Sequence, residues 1–316
     1  MSQPIVAVTG ATGFIGRRIV RALIGNGYAV RALARRSPAK EEADASDAVS
    51  WVLGSLADQT ALHELVKDTV AVVHAAGAIK ALNRDGFLAV NRDGTRRLAE
   101  AALRRAVPPR FIYLSSIAAR EPRLSAYAAS KRAGEQAVRA LQPVLPAVIL
   151  RPPAVYGPGD METLKIFQMA ARGFLVAPMV AGARTSLVHV DDVAGAVMAA
   201  LALKDLPDTP VEFDDGKAGA YAWSEIAAAA GEALRTRPRL IRLPAAVLYM
   251  AGAAASLSAS LTRRPTVLSW GKVPELLHPD WVAAGGSLPG YKPGWTLEKG
   301  FKNTVSWYTS RGLLTS

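Results

Sequence analysis

Residues 5–16 read IVAVTGATGFIG, and this stretch decides the fold. Ile5, Val6, Ala7 and Val8 form a short apolar run, the pattern of a strand buried in a parallel sheet. Glycines follow at 10, 13 and 16, and a helical apolar period starts at once with Ile15, Ile19, Val20 and Leu23. The reading is a strand, a tight turn and a helix. Gly10 permits the turn, Gly13 lets a ligand approach the backbone, and Gly16 lets helix and strand pack closely. Unpaired N–H groups at the helix start favour a phosphate. The spacing is GxxGxxG. The strand before it and the helix after it weigh for a dinucleotide site over a plain structural turn.

The 316 residues suffice for a large α/β domain and a smaller lobe. Half the residues are apolar, so a sizeable core is expected. There are no cysteines, which excludes disulfides, a thiol nucleophile and cysteine metal sites and fits a reducing cytoplasm. No metal centre is expected. The first strand begins within a few residues of Met1, so no signal peptide is expected. Net charge is +12, and from Arg237 onward ten Lys/Arg stand against three Asp/Glu. Basic residues are not interleaved with stacking aromatics, so nucleic acid is not an expected partner.

Strand and helix patterns alternate through residue 150. Residues 28–34 (YAVRALA) read as a second strand with Arg35 and Arg36 at its end, where arginine accommodates the 2′-phosphate of NADP. NAD is the second choice. Residues 40–47 read as a short helix or loop, 49–53 as a third strand, and Leu56 follows in a segment expected beside an adenine. A helix over 60–67 precedes a fourth strand at 70–74, which ends in the small residues Ala75, Ala76 and Gly77 and leaves room for cofactor. His74 reads as a hydrogen-bonded core histidine. A long helix is expected over 88–105, a fifth strand over 110–114 and a sixth over 144–150. A later strand over 185–190 ends near Asp191 and Asp192, either of which can cap a helix over 193–203.

The chemistry sits after the fifth strand. Tyr127 and Lys131 lie at i and i+4 and project from one helix face. A phenol with an unperturbed pKa of about 10 exchanges protons poorly at neutral pH, and a nearby ammonium stabilises its phenolate. Ser116 can hydrogen-bond the same substrate oxygen, while a nicotinamide moves the hydride.

TGATGFIG, the strand end AAG, Asn91 in NRDGT, the Ser115–Ser116 pair, YAASK and RPPAVYGPGD together resemble the extended short-chain dehydrogenase/reductase family of epimerases, dehydratases and 3β-hydroxysteroid-dehydrogenase-like reductases. The resemblance covers residues 4–204, and a weaker match runs through GYKPGWTLEKGFKNTVSWY. It implies an α/β Rossmann-type doubly wound parallel sheet with a smaller C-terminal substrate lobe. Domain boundaries are expected at 1–157 with 184–204 returning, against 158–183 and 205–316. By this resemblance Ser116, Tyr127 and Lys131 are catalytic, Lys131 also holding the nicotinamide ribose. Gly10, Thr12, Gly13, Phe14, Ile15, Arg35, Ala75, Ala76, Pro152, Ala154 and Val155 line the cofactor. Asn91 is structural or a proton relay, and a homodimer is compatible with the family.

Departures from the family pattern select among its activities. Ile117 and Ala118 stand where dehydratases carry an acidic pair, and Ala154 stands where many sugar-nucleotide members carry Asn. The preferred reading is an NADP-dependent oxidoreductase that interconverts carbonyl and secondary alcohol on a small apolar molecule. The alternatives are a nucleotide-sugar epimerase and a non-catalytic dinucleotide-binding subunit. Residues 243–261 carry no charge and are flanked by Arg242 and Arg263–Arg264. A buried or partner-facing helix is the first expectation there, peripheral membrane contact through 243–264 the second, and a membrane span the last.

Overall fold

The computed structural model describes residues 3–37, 48–285 and 288–314. The segment 40–47 therefore lies outside the described residues. The chain forms two compact units. The first comprises 1–151, 193–211 and 287–291; the second comprises 152–192, 212–286 and 292–316.

In the first unit the chain runs β1 (Ile5–Thr9), α1 (Phe14–Gly25), β2 (Ala29–Ala34), β3 (Val49–Leu53), α2 (Gln59–Val66), β4 (Thr69–His74), α3 (Arg84–Leu88), α4 (Thr95–Leu103), β5 (Arg110–Leu114), α5 (Ala126–Arg139) and β6 (Ala147–Arg151). The sheet order is β3-β2-β1-β4-β5-β6, and every ladder between these neighbours is parallel. A seventh strand, β11 (Val211–Glu212), borders β6. Strand order reverses between β1 and β4, the switch point at which open α/β sheets bind ligands. Apolar side chains of α2, α4 and α5 pack on one face of the sheet with Val72, Phe111 and Ile149.

The helix expected over 88–105 is broken. Residues Ala89–Gly94 form a single π-turn between α3 and α4. The wider turn accompanies Asn91, whose carboxamide accepts from Ala78 N (2.8 Å) and donates to Ala78 O (2.9 Å) and Ser130 Oγ (2.9 Å). Asn91 thus pins the loop after β4 to α5, a structural role. The sixth strand starts after Pro146 because proline cannot donate to the ladder.

In the second unit β7 (Ala154–Tyr156) leaves the main sheet and pairs with β10 (Leu187–His189). Between them lie α6 (Leu164–Ala171), β8 (Phe174–Pro178) and β9 (Arg184–Thr185). The strand expected over 185–190 therefore belongs to this unit, and the first segment of the first unit runs to Arg151 where 157 was expected. The helix expected over 193–203 starts earlier, so that Asp191 and Asp192 fall inside it. They lie in the first turn of α7 (Val190–Ala202), and Asp192 accepts the backbone N–H groups of Gly294 (2.8 Å) and Trp295 (3.2 Å).

The core of this unit packs Tyr156, Phe167, Phe301 and Tyr308 around α8 (Trp223–Leu234) and the C-terminal helix. After β12 (Arg239–Leu243) comes α9 (Ala245–Thr262). It is not buried: of its residues only Leu248 and Gly252 are.

A Cβ at Gly134 on α5 would strike Asn91 O and the Tyr113 hydroxyl. Backbone cannot yield as a flexible side chain does. Gly134→Ala is expected to cost about 1–3 kcal/mol through overpacking and to lower the melting temperature by several degrees in calorimetry.

Candidate functional site

Parallel register sets the site. Leu33, Thr9, His74 and Tyr113 are successive register partners across β2, β1, β4 and β5. The residues that follow each of them emerge along one edge of the sheet: Arg35 after β2, Gly10 after β1, Ala75 after β4, and Ser115 and Ser116 after β5. The sequence motifs, scattered over 120 residues, meet there because four strands run in the same direction.

Gly10 has φ of +73°, and a Cβ there would lie 2.7 Å from Ala76 N and 2.8 Å from Ala75 C. A Cβ at Gly16 would run into Gly10 O. Both positions require glycine, so the turn is held against the end of β4 while α1 closes down on it. Thr12 and Gly13 are exposed at the tip, with Phe14 and Ile15 half-buried. No described side chain caps the N-terminus of α1, and its first turn has no acidic residue. Together with the glycine cradle, this suits a pyrophosphate. Arg35 and Arg36 are exposed just past β2. Leu56 packs partly buried against the core and touches the Gly94 position.

Ser115 and Ser116 differ. Ser115 is buried and donates to Glu135 Oε1 (2.6 Å). Ser116 is part-exposed, and its Oγ accepts the Ala118 N–H (3.2 Å), which leaves its hydroxyl proton to donate. Helix α5 begins at the Ser125 cap, which accepts from Ala128 N (2.9 Å). Tyr127 sits half-buried in its first turn, edge-on to Phe87 at 6.1 Å. Lys131 follows one turn later, is buried, and donates to Leu114 O (2.7 Å). A Cβ at Gly77 would lie 3.3 Å from both Lys131 Nζ and Asn91 Oδ1. The small residue after β4 thus gives the ammonium its place.

Burial pulls Lys131 down to about 8, with Glu135 opposing the shift. His74 is buried between Thr9 Oγ1 (2.7 Å) and Thr95 Oγ1 (2.9 Å). Burial, then the Lys131 charge, hold its pKa down at about 3, so the ring is neutral at working pH. It is a core histidine, as its apolar strand implied.

Two residues were missed from sequence. Glu135 is buried and takes Arg151 in a bidentate pair at 2.7 Å on both oxygens, besides Ser115. Tyr127, Lys131 and Glu135 repeat at i, i+4 and i+8, a spacing that could have flagged the third. Arg151 opens the RPPAVYGPGD motif, but nothing in the motif points to Glu135 as its partner. Pro152, Ala154 and Val155 belong to the second unit, where Ala154 and Val155 lie on β7.

A family model described as the NAD dependent epimerase/dehydratase family matches residues 6–213. The chain belongs to this family. A ceramide reductase from Caulobacter vibrioides is 45% identical over 318 residues, covering 99% of this chain and 97% of that protein. Among solved structures, gox2253 aligns with a TM-score of 0.77 at 22% identity, covering 99% of this chain and 100% of that one. WbmH of Bordetella bronchiseptica, solved with NAD+, aligns with a TM-score of 0.71 at 23% identity over 98% and 99%. The protein is an NAD(P)-dependent oxidoreductase of the extended short-chain dehydrogenase/reductase type, and an enzyme.

In this family member the buried ammonium has a measurable cost. Its pKa of about 8 when folded lies below 10.5 when unfolded, so the unfolded chain binds the extra proton between those values. Stability should therefore rise with pH from about 8 to 10.5, by up to about 3 kcal/mol. Denaturant melts of wild type and Lys131→Met across that range test this. The wild type should gain stability relative to the variant as pH rises from about 8 to 10.5.

Proposed function

We propose that this protein is an NADP-dependent reductase that converts the ketone form of a ceramide-like lipid into its secondary alcohol. The observation that carries this reading is the 45% identity to a ceramide reductase over nearly the full length of both chains. The site chemistry supports it. The glycine cradle, the uncapped helix start and Arg35 would hold NADP, with the guanidinium on the 2′-phosphate. NADPH, when bound, supplies the hydride.

The remaining work falls to side chains of the chain itself. Ser116 donates a hydrogen bond to the carbonyl oxygen. Tyr127 gives that oxygen its phenolic proton as the alcohol forms, and the phenolate recovers a proton from solvent. Lys131 stabilises the phenolate and, with two N–H groups left after its bond to Leu114 O, can hold the nicotinamide ribose. Glu135 and Arg151 keep the Ser115 turn and α5 in register, and Glu135 helps Lys131 to keep its charge. In sum, ketone, NADPH and a proton give alcohol and NADP+. Ile117 and Ala118 offer no acid or base for dehydration, and Ala154 offers no carboxamide for a sugar nucleotide. We place the enzyme in the cytoplasm, where NADPH is available.

The test is oxidation of NADPH by a long-chain α-acylamino ketone, the ketone form of a ceramide, in detergent micelles. Turnover is expected with the lipid ketone and not with UDP-sugars. Tyr127→Phe should lower kcat by about 100-fold or more while NADPH affinity stays unchanged in a fluorescence titration. A fully active Tyr127→Phe variant would remove the proposed acid. Arg35→Ser should raise the KM for NADPH about tenfold or more and leave that for NADH nearly unchanged. Equal effects on both cofactors would exclude a 2′-phosphate contact.

A further inference from the structure

Helix α9 is anomalous for a folded surface. It is 18 residues long, about 27 Å at 1.5 Å per residue, and carries no charged residue. Val247, Met250, Ala254, Leu257 and Leu261 recur at steps of three and four, so they share one face. Met250, Leu257 and Leu261 are 64%, 63% and 77% exposed. The opposite stripe, through Leu248 and Gly252, is covered by the chain that follows. A Cβ at Gly252 would lie 2.9 Å from Val273 Cγ2, Trp270 N donates to Ser256 Oγ (2.9 Å), and the Trp270 ring stands 4.7 Å from Tyr249. Trp270 is itself 55% exposed.

We propose that this face lies in the plane of an anionic lipid bilayer, with the lipid as its partner. Three features select that occupant. First, although the helix is long and apolar enough to cross a membrane, its connections hold it against its own unit. It follows directly on β12, which pairs with β8, and the chain returns along the helix itself before β13 (Asp280–Trp281) pairs with β9. Both helix ends are thus tied to the same unit. Second, the charges are complementary to an anionic surface. Arg239 and Arg242 precede the helix, Arg263 and Arg264 follow it, and all four are exposed. Basic residues at both ends of an apolar helix favour the boundary between anionic headgroups and acyl chains.

Third, the same charges disfavour a second copy of the chain. In a two-fold pair of α9 helices, Arg242 meets either its own counterpart or Arg263–Arg264, and like charges face each other in both orientations. The exposed indole of Trp270 beside Tyr249 suits the interface, where amphipathic rings concentrate. The inference does not depend on the redox reading, because binding is measured without turnover. If both hold, the enzyme meets its water-insoluble substrate where that substrate resides.

The experiment is flotation of the full chain with vesicles of phosphatidylcholine alone or mixed with phosphatidylglycerol. The protein should float with the mixed vesicles and release as salt is raised. Leu257→Glu with Leu261→Glu should lower partitioning at least tenfold without shifting the melting temperature, since both side chains are exposed. Arg263→Glu with Arg264→Glu should erase the preference for phosphatidylglycerol. Vesicle binding should blue-shift the fluorescence of the wild type more than that of Trp270→Phe. Failure of the wild type to float with either vesicle would overturn the proposal, as would full binding by the double Glu variant. A wild-type dimer in sedimentation that the double Glu variant dissociates would also overturn it, assigning the face to a second copy.

Discussion

Much of the first unit depends on one close approach of backbone to backbone. The turn at Gly10 is seated against Ala75 and Ala76, and α1 is drawn down until a side chain at Gly16 would strike the Gly10 carbonyl. No other residue type fits either position. The approach aligns the free N–H groups of α1 with the carboxyl edge of the sheet. It also closes the switch point between β1 and β4, so that Arg35, Ala75 and Ser116 emerge along one line.

Around that line the polar groups are sorted by charge. His74 stays neutral between two threonines, because burial and the Lys131 ammonium both oppose its protonation. Burial draws the Lys131 ammonium down to about 8, and the charge of the buried carboxylate Glu135 opposes that shift. Glu135 is in turn neutralised by Arg151, bidentate and buried. Removing one partner from such a pair typically costs about 3–5 kcal/mol, because it strands the other charge. The pair is thus both an anchor for α5 and part of the field in which the ammonium works.

Much of this was legible in the sequence because the signals were local. The apolar run and glycines of residues 5–16 encode a strand, turn and helix within twelve positions, and β3 and β5 follow their predicted limits. Tyr127 and Lys131 are visible for the same reason: their relation is one helical turn. What was hidden depends on distant partners. The π-turn at Ala89–Gly94 accompanies the bonds of Asn91 to Ala78 and Ser130, and nothing in the 88–105 periodicity announces it. The departure of β7 from the main sheet follows from its pairing with β10, more than thirty residues on. Asp192 looked like a cap, yet it holds the backbone a hundred residues away. The uncharged stretch at 243–261 reads as buried or partner-facing by composition, and only the structure shows that its own chain leaves it largely uncovered.

The central claim is that Lys131 and Tyr127 face the reactive end of a nicotinamide held by the Gly10 turn. A crystal structure with NADP+ bound tests it most directly. The account predicts the pyrophosphate on the N-terminus of α1, Lys131 Nζ in hydrogen bonds with the nicotinamide ribose, and the Tyr127 hydroxyl beside C4 of the ring. A nicotinamide directed away from α5, with Lys131 still bound only within the protein, would contradict it.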